Sequence, residues 1–305
     1  MKNNHKINIL FIASPGRSGS TLMERVLNEF SETSAIGELG RRKELTKKNI
    51  CLCGNRFETC PQWQKIINDP KFKEINQEYL SLSKKYMDTS FFIKLLLRSK
   101  IDKEFQIYLQ NLELLYHIIY KNRESNIIVD STTHPIYGYY LSLIPSINVQ
   151  IIHLIRDPRG VVYSMSKVKF NKNNIAWSPS ISPIKSAFMW LKRNFFIEFF
   201  LRKKKRKFLR INYEDFVTQP KVVFEKISNN FKLDLKQLNI QNNKIRLKQA
   251  HLCGGNIDGF KKGDEEISLK LDDRWKREMK LKHIVLTTLI TLPLLIFYRY
   301  LRHSK

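Results

Sequence analysis

Near the N-terminus, Ser14-Pro15-Gly16-Arg17-Ser18-Gly19-Ser20-Thr21 combines the side chains and the backbone freedom needed to hold an anion. Gly16 and Gly19 allow a tight turn that gathers backbone N–H groups, Arg17 supplies a forked cation, and Ser18, Ser20 and Thr21 add hydroxyls. An apolar run, Ile7–Ala13, precedes the segment, and Leu22, Met23, Val26, Leu27 and Phe30 follow at helical spacing. The loop therefore opens a helix, whose N-terminus adds partial positive charge. A strand–helix turn with capping serines is the simpler alternative; Gly, Arg, Gly, Ser and Thr in this order favour anion binding.

A second segment, His153-Leu154-Ile155-Arg156-Asp157-Pro158-Arg159-Gly160-Val161-Val162-Tyr163-Ser164, begins in a strand. Asp157-Pro158 breaks that strand and starts a helix, leaving Arg156 at the strand's carboxyl end and Ser164 within the helix. Alone, R-D-P-R reads equally well as a salt-bridged turn. Together with the first loop it gives two separated anion sites in one unit, which a nucleotide phosphorylated at both 3′ and 5′ positions would need. The pattern G-x-x-x-x-G-K-[ST] is absent. Phosphoryl transfer normally uses Mg²⁺ to neutralise its dianionic oxygens. A sulfuryl group carries less charge, so side-chain cations suffice without metal, and no residue is read as a metal ligand.

S-P-G-R-S-G-S-T-L and R-D-P-R-G-V-V-Y-S resemble the 5′-phosphosulfate loop and the 3′-phosphate motif of the sulfotransferase family. The resemblance implies transfer of a sulfuryl group from 3′-phosphoadenosine 5′-phosphosulfate (PAPS) to an acceptor hydroxyl on a carbohydrate, glycolipid or other alcohol. It assigns Gly16, Arg17, Ser18, Gly19, Ser20 and Thr21 to the 5′ end of the donor and Arg156 and Ser164 to the 3′ phosphate. Asn212-Tyr213-Glu214-Asp215-Phe216 is similar to the family's R-Y-E-D-L, which adds Tyr213 to the donor site. His251-x-x-x-Gly255-Asn256 and Asp272-x-x-Trp275 resemble C-terminal elements of carbohydrate and microbial members. C-x-C-G followed by C-P-x-W, here Cys51–Gly54 and Cys60–Trp63, occurs in similar microbial members.

In-line transfer needs a base for the acceptor's proton and a cation for the bridging oxygen of the leaving phosphate. Arg17 is the expected cation. Glu38, in Ile36-Gly37-Glu38-Leu39-Gly40, is the expected base, because the chain returns to the cleft there and a Gly-Glu at this place resembles the family branch with a glutamate base. His134, after Asp130-Ser131-Thr132-Thr133, is the alternative; related sequences often read D-S-S-K, and Thr133 stands where that Lys would be. His153, inside an apolar strand, reads as a core histidine.

The elements that must position these residues are strands at Ile7–Ala13, Ile127–Asp130, Val149–Ile155 and Phe208–Asn212. Helical patterns run over 72–121, from Ser164 onward, and over Pro183–Phe200 and Pro220–Phe231. Alternation predicts an α/β fold, a parallel β-sheet flanked by helices, and the resemblance makes it a P-loop NTPase-like sulfotransferase fold with ligands at the carboxyl ends of the strands. A single domain over 1–305 is expected, with 41–121 as a helical, Cys-containing acceptor-side insertion and 277–302 as a C-terminal helix. Cys51, Cys53, Cys60 and Cys253 do not form the two closely spaced pairs of a usual zinc site, so a local disulfide or buried thiols are the favoured readings.

The formal charge of +26 favours anionic partners, although Lys, Asn and Ile are abundant together as compositional bias would give. No nucleic-acid module accompanies the charge, so nucleic acid is not expected. Ile284–Tyr298 is shorter than the roughly 20 residues a bilayer span needs and contains Pro293, so it reads as an amphipathic packing helix. A cytoplasmic protein without a signal peptide is expected, with peripheral membrane contact through 202–207 or 284–298 as the minor reading. The rival functions are a P-loop kinase using ATP and Mg²⁺ and a non-catalytic basic protein with a nucleotide-binding fold.

Overall fold

The computed structural model describes residues 6–41, 49–97, 102–167, 169–170, 176–178, 180–202, 206–255 and 263–301. Asn256 and residues 203–205 of the basic run lie outside them. The strands of the main sheet are β1 (Ile7–Ala13), β2 (Thr33–Gly37), β3 (Ile127–Asp130) and β4 (Ile147–Ile155). A separate antiparallel pair, β5 (Lys169–Phe170) and β6 (Ala176–Ser178), precedes the last main strand, β7 (Phe208–Asn212). The main sheet runs β2-β3-β1-β4-β7, and every neighbouring pair is parallel.

Parallel strands covered on both faces read as continuous apolar runs, which is why β1 and β3 have the bounds expected; β7 also has the bounds expected, although it is an edge strand with Arg210 exposed. Ile9, Phe11 and Ile151 face one layer with Tyr108, Leu112 and Tyr140; Leu10, Ile12 and Ile152 face the other with Val26, Phe216 and Phe224. The first layer comes from α2 (Trp63–Ile67), α3 (Pro70–Tyr86), α4 (Thr89–Leu97), α5 (Lys103–Lys121) and α6 (Pro135–Leu141). The second includes α1 (Ser20–Leu27), which follows β1 directly.

Asp157 caps α7 (Pro158–Ser166) by accepting the Arg159 N–H at 2.8 Å, with Pro158 at the first helical position. Helical structure does not continue from Ser164 as the pattern suggested, since α7 stops at Ser166 and the β5–β6 pair follows. Next come α8 (Pro183–Phe196), a π turn over Ile197–Leu201, α9 (Tyr213–Thr218) and α10 (Pro220–Phe231). A small antiparallel sheet, β8 (Ile240–Gln241), β9 (Lys244–Leu247) and β10 (Glu265–Ser268), is pinned to α1 by the Arg25–Glu265 ion pair.

The chain ends in α11 (Trp275–Glu278) and α12 (Leu281–Phe297). Helix α12 packs on α7 and α8, but not as an amphipathic helix should: Thr287 and Thr291 are buried while Leu281, Val285, Leu289 and Ile296 are exposed. Among the described residues no helix is long and apolar enough to cross a membrane.

From β1 the chain moves to β2 and β3 on one side, and β4 lies on the other. That reversal opens a crevice at the carboxyl ends of β1 and β4, where open α/β sheets bind ligands.

Candidate active site

Both segments expected to bind anions open from this crevice. The first loop leaves β1 at Ala13 and enters α1 at Ser20, with Gly16, Arg17 and Gly19 all at positive φ (85°, 56° and 87°). Gly19 is required for a second reason: a Cβ there would stand 2.7 Å from Cδ2 of Tyr213. Inside the loop, the Gly16 N–H donates to Ser14 Oγ (3.3 Å) and the Ser18 hydroxyl donates to the Gly16 carbonyl (3.3 Å). Ser18, Ser20 and Thr21 are buried, and Arg17 is half-buried.

Arg156 leaves the carboxyl end of β4 and reaches that loop. Its Nη1 donates to the Arg17 carbonyl (3.1 Å), its Nη2 donates to the Asp272 carbonyl (2.8 Å) and to Asp272 Oδ2 (3.0 Å), and its guanidinium lies 4.5 Å from the Tyr213 ring centroid. Gly19, Tyr213 and Arg156 thus form a continuous stack joining the two motifs. Arg159, only three residues on, does something else. It pairs with Asp157 (2.6 Å) and covers the Trp275 ring at 4.5 Å, so the salt-bridged turn describes Arg159 but not Arg156. The segment Asp272-x-x-Trp275 therefore engages both arginines of R-D-P-R. Arg274 and Arg156 together hold Asp272 down to about 2, against the opposing effect of burial. Ser164 is half-buried on α7.

Glu38 follows β2 directly and is half-buried. Its surroundings are acidic: its charge adds to the burial that raises Asp130 to about 6 and holds Glu24 well above the usual carboxylate range. His134 caps α6. The Gly40 N–H donates to Thr132 Oγ1 (2.9 Å), so the segments carrying Glu38 and His134 abut. His153 is a core residue, held by Glu198 Oε1 at Nδ1 (3.1 Å) and Asn194 Oδ1 at Nε2 (2.8 Å).

Two further residues carry no motif and escape a sequence reading. Glu24, fully buried on α1, accepts the Gly37 N–H at Oε1 (2.7 Å) and the Ser131 hydroxyl at Oε2 (2.6 Å). It thereby ties the helix after the anion loop to the strand ends that carry Glu38 and His134. Arg193 on α8 donates from Nη1 to the Pro15 carbonyl (2.8 Å), which brings a third cation, after Arg17 and Arg156, to the loop beside Gly16. The only sign of it in sequence is one basic residue on a helix.

The strap 250–255 closes this side of the crevice. The Cys253 N–H donates to the Ile36 carbonyl (2.9 Å), Gly37 lies against the backbone of Cys253 and Gly254, and a Cβ on Gly255 would sit 2.8 Å from Thr21 Oγ1.

No protein of curated function matches the sequence. Among solved structures, the chain is similar to the sulfotransferase domain from the Synechococcus PCC 7002 olefin synthase, at 18% identity over 95% of this chain and 97% of that one, with a TM-score of 0.45. It is also similar to the sulfotransferase domain from the curacin biosynthetic pathway, at 18% identity over 93% and 97%, with a TM-score of 0.47. The model of the sulfotransferase family matches residues 10–237, well over half of the sequence, and the chain belongs to that family.

Proposed function

We propose that the protein transfers the sulfuryl group of PAPS to an acceptor hydroxyl, on a carbohydrate or glycolipid, with no metal at the transfer site. The observation that carries this reading is the Arg156–Arg17 contact at 3.1 Å, which sets two cationic motifs at one crevice. The loop fits an anion on independent grounds: Gly16 and Gly19 take backbone angles that a side chain would disfavour, and Ser20 and Thr21 begin the helix that follows. Gly16 to Thr21 would hold the 5′ phosphosulfate, and Arg156 with Ser164 the 3′ phosphate, with Tyr213 supporting Arg156. When bound, the donor supplies an activated sulfuryl group.

Glu38 accepts the proton of the acceptor hydroxyl; burial raises its neighbours Glu24 and Asp130, and the Glu38 charge adds to that rise. Arg17, with Arg193 beside the same loop, offsets charge on the departing bridging oxygen. Residues 41–121 form the acceptor side of a single domain. The exposed apolar residues of α12, with the excess positive charge, support peripheral contact with an anionic membrane surface.

Radiolabelled PAPS offered with a panel of hydroxyl acceptors in magnesium-free buffer tests the reading. Transfer to a sugar hydroxyl, lost in Glu38→Gln while adenosine 3′,5′-bisphosphate still binds, is the expected result. Full turnover in Glu38→Gln, with loss in His134→Asn, would move the base to His134.

A further inference from the structure

Cys51, Cys53 and Cys60, clustered in sequence, converge with the distant His251 so that one ligand atom from each lies within 4.8 Å of all the others. Cys53 Sγ and Cys60 Sγ are 3.8 Å apart, and His251 Nδ1 lies 3.2 Å from Cys60 Sγ and 3.8 Å from Cys51 Sγ. All four cysteines are free thiols. Tetrahedral zinc with Zn–S of about 2.3 Å and Zn–N of about 2.0–2.1 Å has S···S edges of ~3.8 Å and S···N edges of ~3.5 Å. These three separations lie close to those edges, and every other pair lies within 4.8 Å.

We propose that Cys51, Cys53, Cys60 and His251 Nδ1 bind one structural zinc ion. The donor set is soft, closed at four ligands and mostly buried, with Cys51 and Cys60 fully so, as structural zinc requires. The backbone is arranged for thiolates. The N–H of Cys53 is directed at Cys51 Sγ, that of Asn55 at Cys53 Sγ, and those of Gln62 and Trp63 at Cys60 Sγ. Gly54, at φ 90°, makes the turn after the C-x-C pair. The histidine is held from behind: its carbonyl accepts the Trp63 indole N–H (2.9 Å) and an Arg123 N–H (3.3 Å).

Arg123 is the second, independent pointer. It is buried, stands over the Trp63 ring, and among the described residues pairs with no carboxylate. A lone buried cation is costly unless a negative charge lies near it. Two positive charges on zinc against three thiolates leave a net charge of minus one, which Arg123 balances; it feels Cys51, Cys60 and Cys253 electrostatically. Cys253, although it also acts on Arg123, is not among the residues whose ligand atoms converge.

The ion would tie the 51–63 segment to the strap carrying His251, the same strap that runs on to Cys253 and Gly255 and packs against Gly37 and Thr21. The proposal does not depend on which donor the crevice binds.

Elemental analysis of the untagged full-length protein, expressed with zinc and desalted, tests it. One zinc per chain is expected, lost in Cys60→Ser and in His251→Ala and kept in Cys253→Ala. Should the first two variants fold poorly, cobalt substitution of the wild type decides: visible d–d bands of tetrahedral cobalt with sulfur charge transfer are expected. Removing zinc from the wild type with a chelator should lower its melting temperature, and added zinc should restore it. Absence of stoichiometric metal from the wild type, with Cys51, Cys53 and Cys60 alkylated in the folded state, would overturn the site. Zinc kept in both Cys60→Ser and His251→Ala would also overturn it.

Discussion

Gly19→Ala strikes the stack that joins the two anion motifs. The added methyl would meet the Tyr213 ring at 2.7 and 3.0 Å, with the backbone at φ 87°. The left-handed conformation costs an L-residue about 1–2 kcal/mol. Overpacking adds about 1–3 kcal/mol, because the buried Tyr213 is held between Gly19 and the Arg156 guanidinium. Gly19→Ala should therefore cost about 2–5 kcal/mol in urea unfolding. Replacing the ring relieves only the second part, so in a Tyr213→Leu background the same change should cost about 1–2 kcal/mol. A double-mutant cycle should then show coupling of about 1–3 kcal/mol. Equal losses in the two backgrounds would mean that Gly19 and Tyr213 are not in contact, and the stack would not exist.

Arg159→Ala breaks the pair with Asp157 and should cost about 3 kcal/mol, read as a melting temperature lower by roughly 6 °C, while affinity for adenosine 3′,5′-bisphosphate stays the same. Arg193→Ala removes a charged hydrogen bond to the Pro15 carbonyl and should weaken nucleotide binding about tenfold, measured by calorimetry. Two carboxylates are depressed to about 2: Asp272 by Arg274 and Arg156, and Glu198 by His153 and Arg210, whose hydrogen bonds outweigh its burial. A depressed carboxylate stabilises the fold fully above its unfolded pKa and loses that contribution as pH falls through the folded one. Acid unfolding should therefore steepen between about pH 4 and 2, and Asp272→Asn should flatten part of that slope.

Buried parallel strands announce themselves, and β1 and β3 could be read directly from runs such as Ile7–Ala13, while the edge strand β7 was legible from Phe208-Leu209 and Ile211 although Arg210 between them is exposed. Strand β4 begins two residues earlier than expected, at Ile147. Strand β2, Thr-Ser-Ala-Ile-Gly, is short and made mostly of small residues, so it has no such run and takes its place only by pairing with β3. Helix α7 was legible because Asp157-Pro158 is a cap followed by a first-turn proline. The outward leucines of α12 were not, since hydropathy says that a helix is apolar but not which side its neighbours cover. The cysteine cluster was hidden for a different reason. Its fourth ligand stands 191 residues from Cys60, and only the strap passing beside β2 brings it there, so the spacing of the cysteines alone spoke against a zinc site. Glu24 and Arg193 act through tertiary contacts that no local pattern encodes.

Calorimetry in magnesium-free buffer, comparing adenosine 3′,5′-bisphosphate with adenosine 5′-phosphate, asks whether one nucleotide engages both motifs. The wild type should prefer the bisphosphate by roughly a hundredfold, as expected for about 3 kcal/mol of charge-assisted hydrogen bonding at Arg156, and Arg156→Ala should abolish the preference. Equal affinity of the wild type for the two nucleotides, or a preference that survives Arg156→Ala, would contradict it.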